Sequence, residues 1–70
     1  MSDRWFARHR QEWIAQMLRV YGFINRGHLE RMFEVSTPQA SADLQKFMRD
    51  RPGLMFYNPN TKRYEQDERA

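Results

Sequence analysis

The sequence predicts a mainly helical α+β fold, three helices followed by a C-terminal β-hairpin. Three observations lead there: apolar residues recur at helical spacing through residues 3–50, Ser36 carries a helix-start signal, and a strand-turn-strand pattern follows Pro52-Gly53. Composition agrees. Five Phe, three Tyr, two Trp and five Met supply bulk, while Ile and Val are too scarce for a sheet-dominated core.

Residues 3–21 form the first predicted helix, with Phe6, Trp13, Ile14, Met17, Leu18 and Tyr21 as its apolar stripe and Arg8, Arg10, Gln11, Glu12 and Arg19 between them. Gly22 stands where a helix stop belongs. Trp5 and His9 lie beside the stripe and either extend the core or face a second subunit. The Phe23-Ile24 step is a short strand, and Asn25 caps a second helix over 26–33 that buries Leu29, Met32 and Phe33. Gly27 weakens that helix near its start, where the cost is least.

After a turn at Glu34-Val35, Ser36 caps a third helix over 37–50. Gln39 suits the reciprocal half of a capping box, and Pro38 is tolerated because first-turn N–H groups lack intrahelical acceptors. At 100° per residue, Ala40, Leu44, Phe47 and Met48 share a packing face, and Pro38, Gln39, Ala42, Gln45, Lys46 and Arg49 share the opposite one. The hairpin is expected over 54–57 and 62–65, with Asn58-Pro59-Asn60-Thr61 as its turn and Leu54 and Phe56 pointing inward. Three helices and a terminal hairpin make a winged helix-turn-helix. The domain is expected to span 1–65, and the polar residues 66–70 to form a disordered tail.

Composition also excludes. Seventy residues hold one small domain, and the absence of cysteine removes disulfides, thiolate chemistry and cysteine-ligated zinc. His9 and His28 lie on different helices with no third ligand, so no metal site is expected. There is no Gly-rich phosphate loop and no recognisable nucleophile arrangement, so neither an enzyme nor a cofactor or small-molecule ligand is expected. No segment has the length and apolarity of a membrane span or a signal peptide, so the expected location is cytoplasmic, with the nucleoid. Residues 1–64 hold eleven basic groups against six acidic ones, an excess that suits a polyanionic partner.

One run is more specific than the rest: Ser36-x-Pro38-Gln39-Ala40-Ser41-x-Asp43-Leu44. With Ile24-Asn25-Arg26, Leu29, Phe33 and the wing pattern Tyr57, Lys62, Tyr64, it gives the chain from Gly22 to Tyr64 its likeness. In these residues it resembles the amino-terminal winged-helix domain of WYL-domain transcriptional regulators, including repressors beside bacterial phage-defence operons. The resemblance implies a sequence-specific double-stranded DNA-binding domain that acts as a dimer, normally joined to a ligand-sensing portion. Seventy residues leave no room for that portion, so the chain is expected to be a free-standing or excised DNA-binding domain, and effector sensing is not carried over.

On this reading the third helix enters the major groove and the wing lies on the flanking backbone. Gln39 and Gln45 are candidate base readers, Ala42 allows close approach to a thymine methyl, and Thr37 and Ser41 reach a base edge or a phosphate unless they only satisfy backbone. Ser36 belongs with them at the helix start, although capping is its first role. Lys46 and Arg49 suit phosphates. Lys62 and Arg63 at the wing, with Asn58 and Asn60, contact the backbone or minor groove, the asparagines otherwise serving the turn itself. Arg26 either clamps a phosphate or pairs internally with Asp43, which suits a structural ion pair better than a phosphate. A homodimer through the first helix, at Trp5 and His9, is the expected protein partner. The alternative function is a winged-helix protein-interaction module that binds no DNA.

Overall fold

The first helix, α1 (Asp3–Tyr21), ends where Gly22 takes a left-handed φ of +82° and its N–H donates to the Leu18 carbonyl at 2.9 Å. The structure, a computed structural model, describes residues 3–67. Strand β1 (Phe23–Ile24) follows, then α2 (Arg26–Phe33), α3 (Thr37–Asp50), β2 (Met55–Asn58) and β3 (Arg63–Gln66). The strands form one antiparallel sheet in the order β1-β3-β2. Phe23 stands opposite Glu65, Ile24 opposite Tyr64, and Tyr64 also opposite Tyr57. This is the winged helix expected from the sequence, including its short third strand.

The core lies where α1, α3 and the inner face of the sheet meet. Ile14, Leu18, Ile24, Leu29, Ala40, Leu44, Phe47, Met55 and Tyr64 are buried there, with Trp13, Met17, Phe33, Val35 and Met48 packed against them. α2 packs mainly on α3, so Leu29 alone on α2 is fully enclosed.

Several expected core positions are corrected. In the hairpin Met55 is the inward residue at 5% exposure, while Leu54 and Phe56 stand 43% and 42% exposed. The turn after α3 takes up one more residue than expected, with Leu54 N–H donating to the Arg51 carbonyl at 3.4 Å, and a one-residue shift moves every strand side chain to the other face. Phe6 is exposed because it precedes the crossing with α3, which falls on Gln11 and Ile14, and Tyr21 is exposed at the helix end. Met32 sits on the open side of α2, beside Trp13 and Met17.

The caps differ from expectation in one respect. Ser36 Oγ accepts from Gln39 N–H at 3.2 Å, but the Gln39 side chain turns to Asp43 instead of returning to Ser36, so that capping box is half made. The complete box is at α2, where Asn25 Oδ1 accepts from His28 N–H and His28 Nδ1 accepts from Asn25 N–H. At the chain's other end, Gln66 N–H donates to the Gly22 carbonyl at 2.9 Å and Asp67 N–H to the Leu54 carbonyl at 3.0 Å. Both residues, expected in the polar tail, are thus tied to the fold; residues 68–70 lie outside the described residues.

Candidate nucleic-acid interface

α3 buries Ala40, Asp43, Leu44 and Phe47 and leaves Pro38, Ala42, Gln45, Lys46 and Arg49 exposed. The helical period therefore separates a packing face from a free polar face, as its sequence predicts. Met48, on the expected packing face, is half-buried. The side chains of Gln45 and Arg49 make no hydrogen bond or ion pair among the described residues. Lys46 Nζ, by contrast, meets Asp50 Oδ2 at 2.7 Å on the solvent side, and that hydrogen bond is the main cause holding the Asp50 carboxyl below its ordinary range.

Both flanks of α3 are tied to neighbours. On one, Arg26 Nη1 donates to Ser41 Oγ at 3.4 Å and Thr37 Oγ1 donates to Glu30 Oε1 at 2.8 Å, joining α3 to α2. On the other, Gln39 Nε2 donates to Asp43 Oδ1 at 3.0 Å, and Asp43 pairs with Arg10 of α1 at 2.6 Å. The internal partner of Arg26 is thus Ser41, not Asp43, and Asp43 does carry a structural ion pair. Arg10 was outside the reach of sequence reasoning, because 33 residues separate it from Asp43 and nothing in its neighbourhood marks the pairing.

A cleft of about 590 Å³ opens between the starts of α2 and α3 and the wing, lined by Asn25, Arg26, Gly27, Glu30, Thr37, Tyr57, Lys62 and Tyr64. Three of the sequence-predicted residues, Arg26, Thr37 and Lys62, are brought together here from three different elements. Tyr57 and Tyr64 were missed as lining residues. They stand opposite each other across the hairpin and so share a face of the sheet, a pairing that the sequence does not mark.

The other wing residues lie elsewhere. Arg63 points to the outer face of the sheet, its guanidinium 4.1 Å from the centre of the Phe23 ring and its Nε 3.1 Å from Glu65 Oε2. Asn58 serves the turn, accepting from Asn60 N–H at 2.9 Å and donating to Glu65 Oε1 at 3.2 Å. Asn60 lies exposed at the tip, and Lys62 closes the turn with a left-handed φ of 58° while its N–H donates to the Asn58 carbonyl at 2.8 Å. Thr61 and Asn58 hydrogen bonds, with Arg63 behind them, keep the Glu65 carboxyl below its ordinary range.

A free polar face on the third helix, with a wing folded beside its start, is the geometry of a winged helix-turn-helix domain, and comparison with known families gives it a place. Residues 7–69 match the family described as the BrxR transcriptional regulator winged helix-turn-helix domain. The chain belongs to that family. It is also 38% identical over 61 residues to proteins named DNA-binding transcriptional repressor CapW, from Escherichia coli strain KTE188 and from Escherichia coli. The match covers 87% of this chain and 20% of each relative, so the chain spans about a fifth of the length of the relatives it matches. The resemblance read from Gly22 to Tyr64 is therefore borne out. No helix among the described residues is long and apolar enough to cross a membrane, and no group of three or more His, Cys, Asp or Glu is placed to hold a metal ion.

Proposed function

We propose that this domain binds duplex DNA in a sequence-specific way, with α3 in the major groove and the wing on the flanking backbone. The protein that carries it acts as a repressor by occupying an operator, without chemistry. The observation that carries the reading is the cleft at the start of α3, where Arg26, Thr37 and Lys62 converge beside the helix's uncovered face. There Arg26 and Lys62 take phosphates, Gln39, Ala42 and Gln45 meet base edges, and Arg49 extends the phosphate track along α3. The names of the CapW relatives support both DNA binding and repression. Arg63 and Asn58 support the wing from its outer face, while Ser36 remains a cap.

Anisotropy titrations against mixed-sequence duplex at two salt concentrations test this reading. Binding that weakens steeply with salt is expected, and no binding at low salt would sink the proposal.

A second copy completes the reading of DNA, because one such helix spans only a few base pairs. Trp5, 53% exposed and stacked on His9 at 5.3 Å, supports pairing through α1; His9 in turn meets the edge of Phe33. Sedimentation of the wild type and of Trp5→Ser with and without duplex measures it. Equal masses for the two proteins on DNA would exclude α1 as the pairing surface.

A further inference from the structure

Asp43 is the buried centre of a network that reaches the surface at one side chain. Its carboxylate accepts from Arg10 Nε at 2.6 Å and Nη2 at 3.3 Å, and Oδ1 also accepts from Gln39 Nε2 at 3.0 Å. Its main-chain carbonyl accepts from Gln11 Nε2 at 2.8 Å, which anchors this turn of α3 to α1. Asp43 and Arg10 are largely covered, whereas Gln39 is exposed.

A carboxylate paired with a guanidinium can only accept. Gln39 must therefore turn its Nε2 inward, and the carboxamide is left with one orientation. Its Oε1 and its second N–H remain uncommitted at the surface of the helix's first turns. We infer that Arg10 and Asp43 are positioning residues that set Gln39 as the base-specifying side chain of α3, directed at an adenine.

The choice of base follows from polarity. Adenine presents an N6–H donor beside the N7 acceptor, the complement of a carbonyl beside an N–H; guanine presents two acceptors there, and thymine an acceptor and a methyl group. Gln45 has no such tether. It must surrender its rotamer freedom on binding and can turn either end to a base, so it discriminates less. The inference rests on the DNA-binding reading above and adds which residue specifies, what it specifies and what holds it.

The test is a selection of duplexes from a random pool by the full chain, run with the wild type, Gln39→Ala, and the double variant Arg10→Met with Asp43→Leu. The double variant replaces a buried ion pair by apolar side chains, a change that generally preserves folding, and it leaves Gln39 present but untethered. Circular dichroism checks its fold, and Asp43→Asn is scored in its place if it is unfolded: with its Oδ1 held by Arg10 it offers Gln39 an amide N–H, which no longer turns Nε2 inward.

The wild type is expected to enrich an adenine at one position that Gln39→Ala loses, with discrimination there falling about tenfold. The untethered variant should keep its affinity for mixed DNA while its preference at that position falls several-fold, a selective loss that a merely structural role would not produce. An unchanged preference in Gln39→Ala overturns the inference and leaves DNA binding standing. A preference lost in Gln39→Ala but intact in the untethered variant overturns the roles of Arg10 and Asp43. Duplexes retained without any enriched motif overturn base specification alone, and a wild type that retains no duplex overturns the DNA-binding reading itself.

Discussion

The Asn25 backbone N–H donates to His28 Nδ1 at 3.3 Å while Asn25 Oδ1 accepts from the His28 N–H at 3.0 Å, so the start of α2 depends on an imidazole with a bare nitrogen. Burial first, and the Arg31 charge second, push the His28 pKa below its ordinary value of 6.5. The unfolded chain therefore binds this proton more readily than the folded one, and the contribution to stability is complete above pH 6.5. It is lost as the pH falls from there through the depressed folded value. His28→Gln keeps a capping-box acceptor that does not titrate in this range. Urea unfolding at neutral and at mildly acidic pH should show a drop for the wild type that is smaller for His28→Gln; equal drops would remove His28 as the cause.

Glu34, the residue that ends α2 and begins the turn to α3, sits at φ 54° and ψ 42°. A side chain is strained in that left-handed region, and glycine is not. Glu34→Gly should raise stability by about 1 kcal/mol after the added freedom of the unfolded chain is counted. Glu34→Val should lower it, since a β-branched residue fits there worst. Denaturant midpoints of the two variants check the sign.

Phe47 is the largest fully enclosed side chain, packed between α1 and the sheet with Arg51 resting 5.0 Å from its ring centre. Phe47→Ala should cost about 3–5 kcal/mol. A domain of this size holds a net stability of about that amount, so the expected result is a largely unfolded chain at room temperature by far-ultraviolet circular dichroism.

Lys62 and Arg63 are adjacent cations with opposite assignments. Lys62→Ala should weaken binding to every duplex and lower the salt slope by about one unit. Lys62→Gly should do the same while raising stability, because it relieves the φ of 58°. Arg63→Ala should leave the salt slope alone and instead lower stability by up to about 1 kcal/mol, through loss of its stack on Phe23. Matching salt slopes for the alanine variants would reverse the two roles.

The sequence was most legible where a signal is local. Gly22, Asn25 and Ser36 mark helix ends by chemistry that acts within four residues, and the boundaries of α2 and α3 follow from them. The 3.6-residue period of α3 separates buried Ala40, Leu44 and Phe47 from exposed Ala42 and Gln45. Strand side chains were harder, because a shift of one residue at Leu54 reverses inside and outside, and no local feature measures the turn that precedes it. The candidate site divides in the same way. Its α3 face could be read from periodicity, but the cleft joining Arg26 to Lys62 and the pairing of Arg10 with Asp43 depend on how separate elements meet, which periodicity does not encode.

β3 lies between β1 and β2 although it follows both in the chain. As the protein leaves the ribosome, Phe23 and Ile24 emerge some forty residues ahead of the partners that complete their ladder, Glu65 and Tyr64. Contacts within and between the helices are the more local ones, whereas the sheet closes only when the β3 residues enter its middle. Gln66, whose N–H reaches back to the Gly22 carbonyl, closes a long loop of chain, so the wing beside α3 is the part of the domain that depends most on distant pairing.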